Sequence, residues 1–334
     1  MSRKRTLLLL LTSLLFVSLA CSVIGGDGDE AVVEEAAPAT ESPVESDVED
    51  EDAAAPIEDE AEAEDESVAE DDAEEAGQLG EDDVPPPTPE ATATAVDSPS
   101  WWQPAPGTSW QWQINGAEID TSVDVDMYDI DLYEVPQATI DQLHADGRIV
   151  ICYFSAGSWE EWRPDADQFP PDLIGDPLED WEGENWLDTR QLDALAPIMA
   201  ARLDLAARKG CDGVEPDNVD GYDNETGFPL TYQDQITYNI WLSEQAHQRG
   251  LSIGLKNDLA QIPDLLPYFD WALSEECFYY DECEPLTAFV QAQKAVFGVE
   301  YELMIDEFCP QTNAMNFDFL KKNWELDAWR EACR

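Results

Sequence analysis

Gly210-Cys211-Asp212-Gly213-Val214-Glu215-Pro216-Asp217-Asn218-Val219-Asp220-Gly221-Tyr222 starts as a short apolar run behind a glycine and ends in carboxylates and an amide. A strand that leaves a core and delivers acids into a cleft has this form. Glu215 and Asp217 are two residues apart, so on a strand both point to the same side. An acidic turn without chemistry would read the same in isolation. The flanking sequence separates the two.

Apolar runs recur on both sides of this stretch. The composition predicts strands at Ser109 to Asn115, Val123 to Asp131, Arg148 to Gly157, Ser252 to Asp258, Phe269 to Glu275 and Val296 to Leu303. An eighth strand is expected near Asn316 to Leu320. Ile149 to Phe154 is continuously apolar, as suits a strand buried on both faces. Helical periodicity fills the gaps: Ala138 to Ala145 before Gly147, Asp188 to Lys209 before Gly210, and Thr231 to Arg249 before Gly250. Weaker helical patterns cover Phe289 to Val296 and Leu320 to Ala332. Strands alternating with helices imply a parallel sheet. Eight units in about 234 residues match a (β/α)₈ TIM barrel. The competing architecture is an open doubly wound sheet, but no glycine-rich fingerprint follows any strand, so nucleotide binding has no support.

In such a barrel the C-terminal ends of the strands share one face, where the active site lies. Those ends carry Asp129 and Asp131, Tyr153, then Glu215, Asp217, Asn218 and Asp220, then Lys256 and Asn257, then Glu275 with Glu276, and Glu302. A structural protein has little reason to place acids at nearly every strand end. The long segment from Ser158 to Leu187 adds Trp159, Trp162, Trp181 and Trp186. Indole is wide, flat and stiff, which suits stacking on a sugar ring. Packing of the segment onto the barrel is the other use for these four side chains.

The chemistry is narrowed by what is scarce. The two histidines, His144 and His247, fall in predicted helices, so Ser/His and Cys/His triads lack a base and a histidine-based metal site is not expected. No calcium-loop spacing occurs. No cofactor or metal is expected. Paired carboxylates remain, the machinery of glycoside hydrolysis. With 16 Lys plus Arg against 75 Asp plus Glu, the formal charge is −59, which excludes a nucleic-acid binder working through a basic face. It favours cationic partners.

Four segments resemble glycoside hydrolase family 114, the endo-α-1,4-polygalactosaminidase family. They are Glu215 to Tyr222, Cys152-Tyr153-Phe154-Ser155-Ala156-Gly157-Ser158-Trp159-Glu160, Gly254-Leu255-Lys256-Asn257 and Glu275-Glu276-Cys277-Phe278. The resemblance runs in the same order along most of residues 101–334. It implies a (β/α)₈ barrel and cleavage of α-1,4-linked galactosamine polymers, a cationic or amino-sugar polysaccharide. It also implies a catalytic Asp ending the fourth strand and a catalytic Glu ending the sixth, here Asp217 and Glu275. Glu276 departs from the pattern, where an uncharged residue is expected. Asp217 is assigned as nucleophile or charge stabiliser and Glu275 as acid/base, with retention of configuration expected. Glu215 supports Asp217 from below. Asp129, Asp131, Tyr153, Trp159, Glu215, Asn218, Asp220, Lys256, Asn257 and Glu302 are the expected substrate contacts. Two alternatives stand beside this reading: a lipid-anchored carbohydrate-binding protein on an inactive barrel, and a polysaccharide deacetylase, which usually needs histidine ligands.

The N-terminus reads as an export signal. Ser2-Arg3-Lys4-Arg5 is positive, Leu7 to Leu19 is apolar, and Ala20 precedes Cys21. Residues 1–20 are therefore expected to be a lipoprotein signal, with lipid on Cys21 holding the chain at a bacterial cell surface; ordinary secretion is the alternative. From Ser22 to Pro99 there are 29 acids, no Lys or Arg and no aromatic residue. Such a chain cannot bury enough apolar surface to offset its ordering entropy, so residues 21–100 are expected to be a disordered tether. Residues 101–334 are expected to be a monomeric catalytic barrel. Their six cysteines suit an oxidising compartment and allow 15 pairings. Cys277 with Cys283, and Cys309 with Cys333, are the expected pairs, which leaves Cys152 with Cys211.

Overall fold

The computed structural model describes residues 99–334 apart from Asp180. The expectations for residues 1–98, among them the signal segment, Cys21 and nearly all of the tether, lie outside the described residues.

All eight expected strands form. They are β1 Trp110–Gln113, β2 Met127–Asp131 and β3 Ile149–Ser155, followed after an excursion by β7 Gly213–Asp217, β8 Ser252–Lys256, β9 Trp271–Glu275, β10 Val296–Glu300 and β11 Asp318–Lys321. The excursion carries β4 Ser158–Glu160, β5 Ile174–Pro177 and β6 Glu184–Leu187, a three-stranded antiparallel sheet in the order β4-β6-β5. The main sheet runs β1-β2-β3-β7-β8-β9-β10-β11, parallel throughout, with the short β12 Glu331–Ala332 antiparallel on β11. Helices α1 Gln137–Ala145, α2 Leu192–Lys209, α3 Tyr232–Gln248, α4 Ile262–Leu265, α5 Thr287–Gln291 and α6 Ile305–Met315 occupy the connections. The result is a curled, parallel-rich α/β sheet of TIM-like form.

The helices begin and stop where side chains satisfy their free backbone groups. Thr231 and Asp234 form a reciprocal capping box at the start of α3. Gly210, at φ 80°, takes the left-handed turn that ends α2. Leu195, Ile198, Met199, Leu203 and Ala206 of α2 are buried against the outer face of the sheet.

The curl is visible in contacts between strands far apart in sheet order. Trp112 of β1 donates to Glu215 of β7, and the Trp110 ring lies 5.0 Å from that of Phe297 on β10. Trp110 also donates to the Asp318 carbonyl on β11 at 2.8 Å. A second core cluster fills the concave side: Trp110, Trp112, Met127, Ile151, Trp271, Leu273, Phe297, Val299 and Leu320. Gly254 makes room there, since a Cβ at that position would lie 2.3 Å from the Trp271 indole.

Two expectations are corrected. Leu320 to Ala332 is no helix. Lys322 is buried and donates to the carbonyls of Asp327 and Trp329, which folds the chain back on itself, and Leu326 at φ 49° drops into the interior cluster. The helical spacing of Leu and Trp there serves a loop that wraps the sheet edge. The segment Phe289 to Val296 splits, because α5 ends at Gln291 and Val296 already belongs to β10. Helix α6 has no counterpart among the expected helices; it buries Phe308, Cys309 and Thr312.

The three disulfides are the expected ones: Cys152–Cys211, Cys277–Cys283 and Cys309–Cys333. The first joins β3 to Cys211, two positions before β7, across 59 positions. Closing a loop of that length stabilises the fold by roughly 4 kcal/mol in the chain-entropy account. The double variant Cys152→Ala/Cys211→Ala should lose about 2–4 kcal/mol of unfolding free energy. Chemical denaturation measures this, and an unchanged midpoint would refute it.

Candidate active site

Three strand ends converge on one ammonium. Lys256, the last residue of β8, is 2 % exposed. Its Nζ lies 3.1 Å from Glu215 Oε1, 2.9 Å from Asp217 Oδ1 and 3.0 Å from Glu275 Oε2. It also sits over the Trp112 ring at 5.1 Å. Burial works against its charge, but Asp217, Glu275 and Glu215 outweigh that and hold Lys256 protonated well above the usual lysine range.

The three carboxylates differ in access. The Glu215 side chain is fully buried, while those of Asp217 and Glu275 are 18 % and 26 % exposed. Glu215 thus forms a floor, gripped by Trp112 Nε1 at 2.9 Å and by Lys256. Beneath it Asp129, fully buried, shares a hydrogen bond with Glu215. Burial and then the Glu215 charge push Asp129 well above the carboxylate range. Burial also raises Glu215, against the pull of Lys256.

The two exposed acids are each fixed by separate groups. Asp217 Oδ2 accepts from Tyr153 at 3.0 Å, and Oδ1 accepts from the Asn218 backbone at 2.8 Å. Glu275 Oε1 accepts from Tyr301, and Asn257 holds it from below, its Oδ1 accepting from the Glu275 backbone at 2.9 Å. Asn218, Asn257 and Glu276, each the residue just after β7, β8 or β9, take left-handed backbone at φ 59°, 55° and 57°. Asn tolerates that region well. Gly157 is needed for closeness instead: a Cβ there would lie 1.7 Å from the Asn218 carbonyl oxygen. That contact lets Ala156 and Gly157 donate to the Asp217 carbonyl.

Asp129, Tyr153, Glu215, Asp217, Asn218, Lys256, Asn257 and Glu275 are therefore brought together. The remaining expected contacts are not. Asp131 is buried in an ion network, 2.7 Å from Arg163 Nη1, and accepts from the backbones of Tyr133 and Glu134. That arginine, with Arg202, Glu160 and Asp165, pins the excursion to the sheet. Trp159 is half-buried against the outer core, and its Nε1 donates to the Ala166 carbonyl. The expectation that these two line the cleft is corrected: both serve the excursion's own packing. Trp186 is buried too, while Trp162 and Trp181 are exposed. Asp220 lies beside Asp258, which burial first and Asp220 second push up to about 8. Glu302 is exposed and accepts from Trp324. His144 and His247 sit on α1 and α3, bonded to Asp212 and Asp270. Among the described residues no group of His, Cys, Asp or Glu is arranged to hold a metal ion.

Sequence reasoning missed Trp112, Tyr301 and Glu184. Tyr301 carried a signal, standing one residue past a strand end. Trp112 carried none, since its partner Glu215 is 103 positions away. Glu184 belongs to β6, and a chain of hydrogen bonds runs from Glu184 through Ser158 and Ser155 to Asn218.

A model of the Glyco_hydro_114 family, glycoside-hydrolase family GH114, matches residues 91–334. The chain belongs to family GH114. It is a glycosidase. Ega3 of Aspergillus fumigatus, solved in complex with galactosamine, is similar at 45% identity and TM-score 0.65, covering 70% of this chain and 97% of that one. The glycoside hydrolase domain of PelA from Pseudomonas aeruginosa shares the fold at 13% identity and TM-score 0.54, over 67% of this chain and 98% of its own. No curated protein matches the chain.

Two outcomes follow from the buried groups of this GH114 site. Asp129→Asn keeps a donor for Glu215 and should change stability little, whereas Asp129→Leu leaves a buried acceptor short and should cost about 1–3 kcal/mol by chemical denaturation. Burial, with Glu160 adding to it, pushes Glu184 up to about 7 from an ordinary 4.5, against the Ser158 hydrogen bond. A raised folded-state value means stability fully present below the unfolded value and lost as pH rises through the folded one. Glu184→Gln should therefore gain stability relative to the parent between pH 5 and pH 8. A difference that stays constant with pH would contradict this.

Proposed function

We propose that this chain is an exported glycoside hydrolase that cleaves α-1,4-linked galactosamine-containing polysaccharide with retention, inside a closed (β/α)₈ barrel. The observation that carries the reading is the bridging of Asp217 and Glu275 by one buried ammonium at the rim. Two oxygens within about 3.0 Å of the same Lys256 Nζ are at most about 6 Å apart. That favours the spacing of retaining pairs, about 5–5.5 Å, over that of inverting pairs, about 6.5–9.5 Å. The substrate class rests on membership of GH114 and on similarity to Ega3, whose structure holds galactosamine. Closure of the barrel is supported by the contacts of β1 with β10 and β11.

In this mechanism Asp217 attacks the anomeric carbon while Glu275 gives its proton to the leaving oxygen. Glu275 then takes a proton from the water that releases the sugar from Asp217. Tyr153 and Tyr301 orient the two acids, and Lys256 holds them apart at a fixed spacing. Export and lipid attachment at Cys21 rest on the sequence alone, although three disulfides suit an oxidising compartment. The active unit is proposed to be a monomer.

Incubating the full chain with α-1,4-galactosamine polymer should release new reducing ends. Asp217→Asn and Glu275→Gln should each lower kcat by about 10²–10⁴-fold. Normal turnover by Asp217→Asn would sink the assignment, and binding without new reducing ends would mark a carbohydrate-binding protein instead. Unacetylated polymer is polycationic and the chain carries −59, so kcat/KM should fall as salt rises.

A further inference from the structure

A series of buried hydrogen bonds leads out of the site into the excursion, and the mechanism above gives it no task. Asn218, next to Asp217, donates through Nδ2 to Ser155 Oγ at 2.9 Å and to Ser158 Oγ at 3.3 Å. The two serine oxygens lie 2.6 Å apart, and Ser158 donates to Glu184 Oε2 at 2.8 Å. The donor of the bond between the serines follows from counting. Ser155 Oγ already accepts from Asn218 Nδ2 and from the Ser158 backbone N–H at 3.0 Å. A hydroxyl oxygen accepts twice and donates once, so the Ser155 O–H goes to Ser158 and the Ser158 O–H goes to Glu184. The donors run from Asn218 toward one carboxylate. Ser155 and Ser158 are fully buried and Glu184 is 6 % exposed, so water offers no substitute acceptor.

The near end of the series is fixed to the catalytic carboxylate. Asn218 holds left-handed backbone at φ 59°. Asn enters that region readily, and its tethered side chain keeps it there. The Asn218 backbone N–H donates to Asp217 Oδ1, the oxygen that also meets Lys256. The charged and titratable groups that face Glu184 are Glu160, its register partner across β4 and β6, with Arg163, Asp217 and Tyr153. Burial, joined by the Glu160 and Asp217 charges, pushes Glu184 up to about 7 against Ser158 and Arg163. Glu184 therefore changes charge near neutrality.

We propose that Glu184 is a positioning residue for Asp217: its carboxylate, the acceptor at the end of the series, keeps Asn218 in the turn that sets the nucleophile. The role rests on the reading in which Asp217 is the nucleophile, and it extends the working site into the three-stranded sheet. Ionised Glu184 holds the series by a charge-assisted bond, roughly twice as strong as a neutral one. The neutral acid carries an O–H of its own, which competes with that of Ser158. Glu184 thus serves the reaction in the charge state that burial disfavours. Through space its charge acts with the opposite sign, since losing it would favour ionised Asp217.

The test measures kcat and KM of the full chain on α-1,4-galactosamine polymer across pH, for the parent, Glu184→Gln, Ser158→Ala and the double variant. Dividing the parent's kcat by that of Glu184→Gln cancels the titration of the other acids. The quotient should be near one at about pH 5 and climb to about three- to tenfold above about pH 8. KM should stay within about twofold, because the series acts through Asp217 and not on the ground-state complex. Ser158→Ala should show a similar loss, and the double variant no more than either single one. A purely structural role moves the other way, since Glu184→Gln is the more stable protein at high pH. A quotient that is flat with pH, or a Glu184→Gln as fast as the parent above about pH 8, overturns the positioning role. A faster variant would show the through-space charge to dominate and overturn it too. Normal kcat in Ser158→Ala would break the series; should that variant fail to fold, the pH course of Glu184→Gln decides alone. Normal turnover by Asp217→Asn, or a parent with none, would instead overturn the reading of the site and the positioning role with it.

Discussion

The Lys256 ammonium is nearly shut off from water, and three carboxylates from two neighbouring strands contact it. A buried cation without partners would shed its proton, and buried carboxylates without a cation would take one up. Here the ammonium keeps its proton because Asp217, Glu275 and Glu215 outweigh its burial. Removing one member of such a cluster is costly, typically about 3–5 kcal/mol, because it leaves the rest uncompensated. The site is therefore an electrostatic unit whose geometry is set by one nitrogen. Burial and the Glu215 charge raise Asp129 well above the carboxylate range, which disfavours further negative charge in the floor.

That unit needs a rigid frame, and the frame is built from apolar and covalent constraints around it. Below the charges the concave side of the sheet is filled by Trp110, Trp271, Phe297 and Leu273, so the floor cannot sink. Close approach of β3 to β7 at Gly157 fixes the Asp217 backbone, and the Cys152–Cys211 disulfide ties the middle of β3 to the segment leading into β7. The Cys277–Cys283 disulfide closes the turn directly after Glu275 and Glu276. On the outside, the buried pairs of Arg163 and Arg202 hold the excursion against the sheet. That excursion in turn reaches Asn218 through Ser158 and Ser155.

Much of this was legible before any coordinates. Continuous apolar runs such as Ile149 to Phe154 marked the strands, because a strand covered on both faces has no polar side to show. Parallel strands deliver their last residues to one common face, which gathers many acids there, and the resemblance to family GH114 singled out Asp217 and Glu275 among them. The C-terminal segment misled, because Leu320 and Trp324 have helical spacing, while two carbonyls that capture Lys322 turn the chain into a wrapping loop. Asp131 misled for a related reason. Its place at a strand end says nothing about Arg163, which lies in the excursion and claims the carboxylate first.

The sequence by itself determined the eight-strand α/β alternation, the even set of cysteines and the run of acids at the strand ends. These depend on local periodicity, on spacing and on strand polarity, all of which are written along one dimension. Only the tertiary structure decided that Trp112 and Tyr301 join the site, that Asp131 is claimed by Arg163 instead, and that Trp324 stacks on Tyr301. These are matters of which side chains meet across the curl of a sheet. Trp112 and Glu215 are 103 positions apart, and only the curvature that closes β1 toward the later strands brings an indole N–H to a buried carboxylate.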